Sequence, residues 1–140
     1  MDSFSSKERK VINMNLTSVG YFREMLDGRQ DDPSIKDYLN KCAPHLVDQI
    51  CEYLNNGIPL VVSPGVSLDV IDETKGIAGA PSLLTDGKWV WSGVLSYYVK
   101  NYNLLLDSEF IDTMISNGWK VPICENELEY SNIVLDGIPF

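Results

Sequence analysis

The stretch Thr85–Tyr102, TDGKWVWSGVLSYYVKNY, sets the strongest constraint on how this chain can fold. It joins a turn, a tryptophan pair and an aromatic helix without a gap, and it holds two of the three tryptophans and three of the seven tyrosines. Asp86-Gly87 supplies the positive φ that a tight hairpin demands, so Ser82–Leu84 and Trp89–Trp91 are expected to be its strands. Trp89 and Trp91, two positions apart, project to one face of their strand. Ser92 then caps a helix whose Val94, Leu95, Tyr98, Val99 and Tyr102 share an apolar face, with Tyr97 just off it. Large aromatics so concentrated build the hub of a small core or the anchor of an interface. Packing of both tryptophans beneath the helix is the favoured reading; a groove of exposed rings that takes a peptide or small ligand is the alternative.

Around this segment the apolar pattern changes period several times. Thr17 or Ser18 can cap a helix over residues 18–27, with Val19, Phe22, Met25 and Leu26 turned inward and Gly28 as its stop. A short helix is expected from Pro33 to Leu39. A longer one, residues 44–55, has Leu46, Val47, Ile50, Cys51 and Leu54 on one face and ends at Asn56-Gly57. Ile58–Ser63 is short, β-branched and bounded by Gly and Pro, as a buried strand would be, and residues 66–71 alternate imperfectly as a second strand. Residues 72–81 are expected to form a loop. A helix follows Asp107 or Ser108 and buries Phe110, Ile111, Met114 and Ile115 before Asn117-Gly118. Short strands are expected at Lys10–Met14 and Ser131–Leu135. The fold class expected is therefore α+β, a single domain over residues 14–140 behind a loose arm over residues 1–13. A small, mainly antiparallel sheet (58–63, 66–71, 82–84, 88–91 and 131–135) is packed against about four helices (18–27, 44–55, 92–102, 108–117).

Charge narrows the function classes. Twenty Asp and Glu against 11 Lys and Arg give a formal net charge of −9, which argues against nucleic-acid binding, because phosphate contacts need clustered cations. The plain reading of this charge is solubility, and the sharper one is a protein partner with a basic face. No apolar run approaches the ~18 residues that span a membrane. MDSFSSKERK has no apolar h-region, so no secretory signal is expected. Cys42, Cys51 and Cys124 form an odd set without CxxC spacing and read as buried reduced thiols, which points to a cytoplasmic home.

Catalytic chemistry finds little purchase. His45 is the only histidine, and it sits beside Pro44 in the first turn of a helix, with no nucleophile assignable to it. One His and three scattered Cys give no metal-ligand pair, so no metal and no cofactor is expected. Asp31-Asp32, Asp72-Glu73 and the alternating Glu125, Glu127 and Glu129 are the carboxylate clusters. Each falls in an expected loop or edge, where a solvated face is the plainer reading than acid–base catalysis. An extended segment would put Glu125, Glu127 and Glu129 on one face, three like charges that repel unless a partner's Lys or Arg lies opposite. Gly76–Pro81 lacks the GK[ST] of a phosphate loop, and Asp69, Asp72 and Glu73 lack calcium-loop spacing.

Thr85-Asp86-Gly87-x-Trp89-x-Trp91, then Leu95-x-Tyr97-Tyr98-Val99-x-x-Tyr102, then Phe110 and Asn117-Gly118-Trp119, resemble small bacterial immunity proteins encoded beside polymorphic toxin genes. The resemblance spans about residues 57–122; the earlier helices and the acidic tail lie outside it. It implies a non-enzymatic inhibitor that binds a cognate toxin domain in the cytoplasm of the producing cell and occludes its active site or jams its conformation. An acidic inhibitor would suit a toxin domain with a basic face. The contact residues expected on this reading are the carboxylates Asp72, Glu73, Glu125, Glu127 and Glu129, with Tyr97 and Trp119 as aromatic anchors. An adaptor or regulatory module using the aromatic groove is the second reading, and a carboxylate hydrolase or transferase the third.

Overall fold

The computed structural model describes residues 13–140. Strands β1 (Met14–Ser18), β2 (Ile58–Val61), β5 (Leu83–Thr85), β6 (Trp89–Ser92), β7 (Ile133–Leu135) and β8 (Ile138–Pro139) form one curled sheet in the order β2-β5-β6-β1-β7-β8. β3 (Ser67–Leu68) and β4 (Ile77–Gly79) form a separate two-stranded ladder. Helices α1 (Val47–Asn55), α2 (Leu95–Tyr102) and α3 (Ser108–Ser116) complete the described elements, with single 3-10 turns between them. The fold is thus mixed α and β, as expected, but the sheet is not mainly antiparallel. β1 lies between β6 and β7 and runs parallel to both. The arm expected over residues 1–13 and most of the strand expected at Lys10–Met14 lie outside the described residues.

β1 displaces the helix expected over residues 18–27. Thr17 and Ser18 cap nothing: the Thr17 N–H donates to the Lys88 carbonyl at 3.0 Å and the Val19 N–H to that of Val90 at 2.9 Å. Beyond the strand the chain makes successive tight turns, with Met25 N–H donating to Phe22 O and Gly28 N–H to Met25 O. Val19, Phe22 and Met25 are still buried, because turns repeating every three residues deliver the same inward positions that a helix would. Leu26 does not follow them and is 76% exposed.

Other elements shift without changing type. The helix expected from Pro33 is a 3-10 turn, Ile35–Tyr38, held by the Glu24 carboxylate, which accepts from Ile35 N–H at 2.8 Å and from the Ser34 hydroxyl at 2.5 Å. Burial opposes charge on Glu24, yet these two hydrogen bonds hold its carboxyl below the usual range. The strand expected at 66–71 shrinks to β3, which pairs with Ile77–Gly79 inside the stretch expected to be loop. Ser92 accepts from Val94 N–H at 3.3 Å, but the helix begins only at Leu95. α3 ends as a Schellman motif, with Trp119 N–H donating to Met114 O and Gly118 N–H to Ile115 O. β8 had no sequence counterpart. It follows a turn at Asp136-Gly137 in which both residues have positive φ, +51° and +84°, as a two-residue hairpin requires.

The sheet has two faces and a core on each. The helices cover one, where Trp91, Tyr53, Phe110, Leu95 and Met114 are fully buried. Trp91 and Phe110 rings lie 5.2 Å apart, Trp89 and Phe110 5.7 Å, and Tyr53 and Trp91 6.1 Å. Both indole N–H groups are satisfied, Trp91 Nε1 by the Leu54 carbonyl at 3.2 Å and Trp89 Nε1 by Thr113 Oγ1 at 3.0 Å. The opposite face carries Leu16, Leu60, Val90 and Ile133 under Leu128 of the tail.

The turn between β5 and β6 ties the first core together. Only Gly87 has positive φ there, and the turn is closed by side chains rather than by a two-residue backbone hairpin. Asp86 Oδ1 accepts from the N–H groups of Lys88 and Trp89, and Asp86 Oδ2 accepts from the Tyr53 hydroxyl at 2.6 Å. That hydroxyl in turn accepts from Asn117 Nδ2 at 3.0 Å, so α1, the hairpin and the end of α3 meet on one buried carboxylate. Burial first, and then the bond to Asp86, push the Tyr53 hydroxyl well above its ordinary pKa.

Two stability outcomes are expected. Tyr53→Phe leaves Asp86 Oδ2 without its donor and should cost about 1–3 kcal/mol in urea unfolding; a loss within error of zero would show that the carboxylate is not held by this bond. Gly57→Ala places a Cβ 2.5 Å from Trp91 Cζ2 and 2.9 Å from Leu84 Cβ. Overpacking against a fully buried ring should destabilise by about 1–3 kcal/mol, and an unchanged melting temperature would contradict the close approach.

Candidate partner-binding surfaces

The expected contact residues do not form one patch. Asp72, Glu73 and Tyr97 gather around a residue to which the sequence assigned no role, Asp69, which is 0% exposed. Asp69 Oδ2 accepts from the Tyr97 hydroxyl at 2.8 Å and the Tyr102 hydroxyl at 2.6 Å. Asp69 Oδ1 accepts from the N–H groups of Ile71 and Asp72 at 2.7 and 2.8 Å. The Tyr98 hydroxyl accepts from Val70 N–H, and the Lys75 ammonium lies 4.5 Å from the centroid of the Tyr102 ring. Three tyrosines of α2 thus clamp the loop that precedes β4. Asp72 itself caps the Glu73–Lys75 turn through Thr74 N–H at 3.1 Å, while Glu73 is exposed.

Desolvation works against a charged Asp69, but the donors from Tyr102, Asp72, Tyr97 and Ile71 win and hold its carboxyl below the usual range. The same carboxylate pushes the Tyr97 hydroxyl up to about 12. Tyr97 is therefore a partly exposed ring whose hydroxyl is already committed to the fold.

Trp119 stands apart, half-buried just beyond α3, with a left-handed φ of +63° following that of Gly118, the glycine of the Schellman motif. It packs on the first core and lines a shallow hollow with Glu52, Asn56, Lys120 and Val121. Glu125, Glu127 and Glu129 are exposed but do not alternate on an extended face. Residues Glu125–Glu127 form a 3-10 turn, and Glu127 folds back so that Oε1 accepts from Cys124 N–H at 2.9 Å. The turn takes Glu125 and Glu127 out of the extended alternation that would have lined up the three carboxylates.

The remaining candidates occupy ordinary places. Trp89 and Trp91 are 8% and 0% exposed, so their rings line no open groove. His45 is exposed on the Pro44–Leu46 turn. Cys42 is buried and burial raises its thiol, as it does that of Cys51, whereas Cys124 is exposed, contrary to expectation. Among the described residues no His, Cys, Asp or Glu side chains are grouped to hold a metal ion, and no helix is long and apolar enough to cross a membrane.

One concavity was missed by sequence reasoning. A groove of about 750 Å³ opens on the second face of the sheet. Leu83, Val90 and Leu135 floor it, all three also part of the second core, so the groove is that core's uncovered end. Val61 and Val62, 43% and 75% exposed, form one apolar wall together with Leu26 from the turns after β1. Tyr21, Asp27, Asp32 and Asp136 also line it, with Arg29 as the cation among the described residues. Asp136 is fixed in place: its carboxylate accepts from Ser18 N–H at 2.9 Å and Ser18 Oγ at 2.7 Å. The signal that could have found this region was the last of the chain's three Asp-Gly pairs, at 136–137, which lies between β-branched and apolar residues as a hairpin turn does.

The buried carboxylate at 69 makes a pH-dependent contribution. Its folded pKa lies below the ordinary aspartate value of about 3.9, so the stability it adds is complete above that value and is lost as pH falls through the folded one. Asp69→Asn should lower stability near neutral pH by about 1–3 kcal/mol and flatten the loss between about pH 5 and pH 2 relative to the parent. Equal acid slopes in the two proteins would remove Asp69 from the acid-sensitive set.

Compared with protein-family models, with curated proteins and with solved structures, the chain finds no match in any of the three.

Proposed function

We propose that this chain is an immunity protein, a stoichiometric inhibitor that binds a cognate bacterial toxin domain and covers its active site with an acidic surface. The observation that carries the reading is the division of labour along the chain. The segment that resembles immunity proteins supplies the buried hub, Trp89, Trp91 and Tyr98, while Glu73, Glu125, Glu127 and Glu129 of this strongly anionic chain are exposed on or beside turns outside that hub. A scaffold of this kind can hold its core constant and present carboxylates to a basic partner, whose approach they would steer. Glu73, Glu125, Glu127 and Glu129 are the exposed carboxylates among the expected contacts, and Trp119 is the aromatic one whose side chain is not tied by a hydroxyl. The proposed action makes and breaks no covalent bond. The adaptor reading depended on a groove of tryptophan rings, and both rings lie inside the first core.

The test is co-expression with the toxin domain encoded by the neighbouring gene. A one-to-one complex that survives purification, protection of the expressing cells, and an affinity that falls with added salt are the expected results. Charge reversal at Glu73→Lys or Glu125→Lys should slow association if either lies at the interface. Neither binding nor protection would sink the proposal.

A further inference from the structure

The geometry points to the groove on the second sheet face as the docking site for an extended segment of a partner protein that alternates apolar side chains with arginine or lysine. This deepens the reading above, on which it rests for the existence of a protein partner.

The groove takes one residue from each of five neighbouring strands, Val61 of β2, Leu83 of β5, Val90 of β6, Ser18 of β1 and Leu135 of β7. Five strands are about 19 Å across, the length of about six residues of extended chain. Apolar floor and apolar wall would take the alternate side chains of such a segment. Leu26 and Val62, 76% and 75% exposed on its lip, are large apolar groups in water that a partner would cover.

Charge selects the occupant. Among the described residues three carboxylates, Asp27, Asp32 and Asp136, line the groove against one guanidinium, Arg29, in a chain that is strongly anionic. An acidic peptide or a fatty acid would meet net repulsion there, and a second copy of this chain would bring another excess of carboxylates. A cationic group is attracted, and Asp136, held rigid by Ser18, is preorganised to receive a guanidinium. The Tyr21 hydroxyl reports the same field: burial, then Asp27 and Asp136, drive its pKa upward.

The test uses the full chain, labelled at Val and Leu methyls, and an acetylated, amidated peptide Leu-Arg-Leu-Arg-Leu-Arg. Titration should shift the methyl resonances of Val61, Leu83, Val90 and Leu135, and the affinity should fall as salt rises. Asp27→Lys and Leu26→Asp alter exposed side chains, so the folded spectrum should persist while binding weakens about tenfold or more. The proposal is overturned if the Glu-for-Arg peptide or decanoate binds as tightly, or if the groove methyls shift on dilution because two copies associate through them. It is overturned equally if those methyls contact residues 1–12 of the same chain, or if the Arg peptide leaves them unmoved. The two readings separate in cells. If the toxin is neutralised as well by Asp27→Lys and Leu26→Asp as by the parent, the groove is not the docking site and the immunity reading stands. If the peptide binds as described but no toxin is neutralised, the groove stands and the immunity reading falls.

Discussion

The fold depends on a carboxylate that cannot leave. Asp86 is 2% exposed at the tip of a hairpin, where an aspartate would ordinarily face water. It stays because two backbone N–H groups and the Tyr53 hydroxyl replace the water it gives up. Its neighbour Thr85 closes the same turn, donating to the Trp89 carbonyl at 2.6 Å and accepting from Gly87 N–H at 3.0 Å. With the turn so fixed, Trp89 and Trp91 enter the helical core at set positions, and Phe110 of α3 packs on both rings. Breaking one partner of such a buried network exposes the rest to an uncompensated charge, which is why the Thr-Asp-Gly-x-Trp pattern reads as a unit.

The same device recurs at Asp69, with a different consequence. There three tyrosines from one helix hold a short loop instead of joining separate elements. Tyr97, Tyr98 and Tyr102 are therefore not a free aromatic surface: each hydroxyl is spoken for, and Tyr98 and Tyr102 stack at 6.1 Å. A chain this rich in tyrosine can look like a ligand-stacking protein while using its rings to bury carboxylates.

Legibility from sequence followed the range of the interactions. The hairpin, α1, α2 and α3 were readable because their apolar spacing and caps act within a few residues. Asp107, accepting from Glu109 N–H at 2.8 Å, starts α3 where the sequence placed a cap. β1 was not readable, since its five residues carry only one fully buried side chain, Leu16, and its identity is conferred by β6 and β7, both more than 70 residues away. Val19, Phe22 and Met25 then imitated a helix, because a threefold spacing of apolar residues cannot distinguish one from repeated turns. The antiparallel expectation failed for the same reason: a parallel partner leaves no local mark. Among the contact candidates, exposure of the tail glutamates was legible and their geometry was not, because Glu127 capping Cys124 N–H turns an alternating pattern into a 3-10 turn.

That asymmetry bears on where recognition resides. Inserting β1 between β6 and β7 creates a second sheet face that the helices cannot reach, and the tail covers only part of it with Leu128 and Ile123. Val90 shows the division within one strand, buried on the second face while Trp89 and Trp91 serve the first. A chain that needed only stability would close the remaining end with another apolar residue of the tail. Instead Asp136 turns the chain away at that point, so the same residue that completes the sheet also leaves the groove open and anionic. The aromatic segment that dominates the sequence therefore defines the frame, and the open groove on the other face joins residues of β2, β5 and β6 to the turns after β1 and β7.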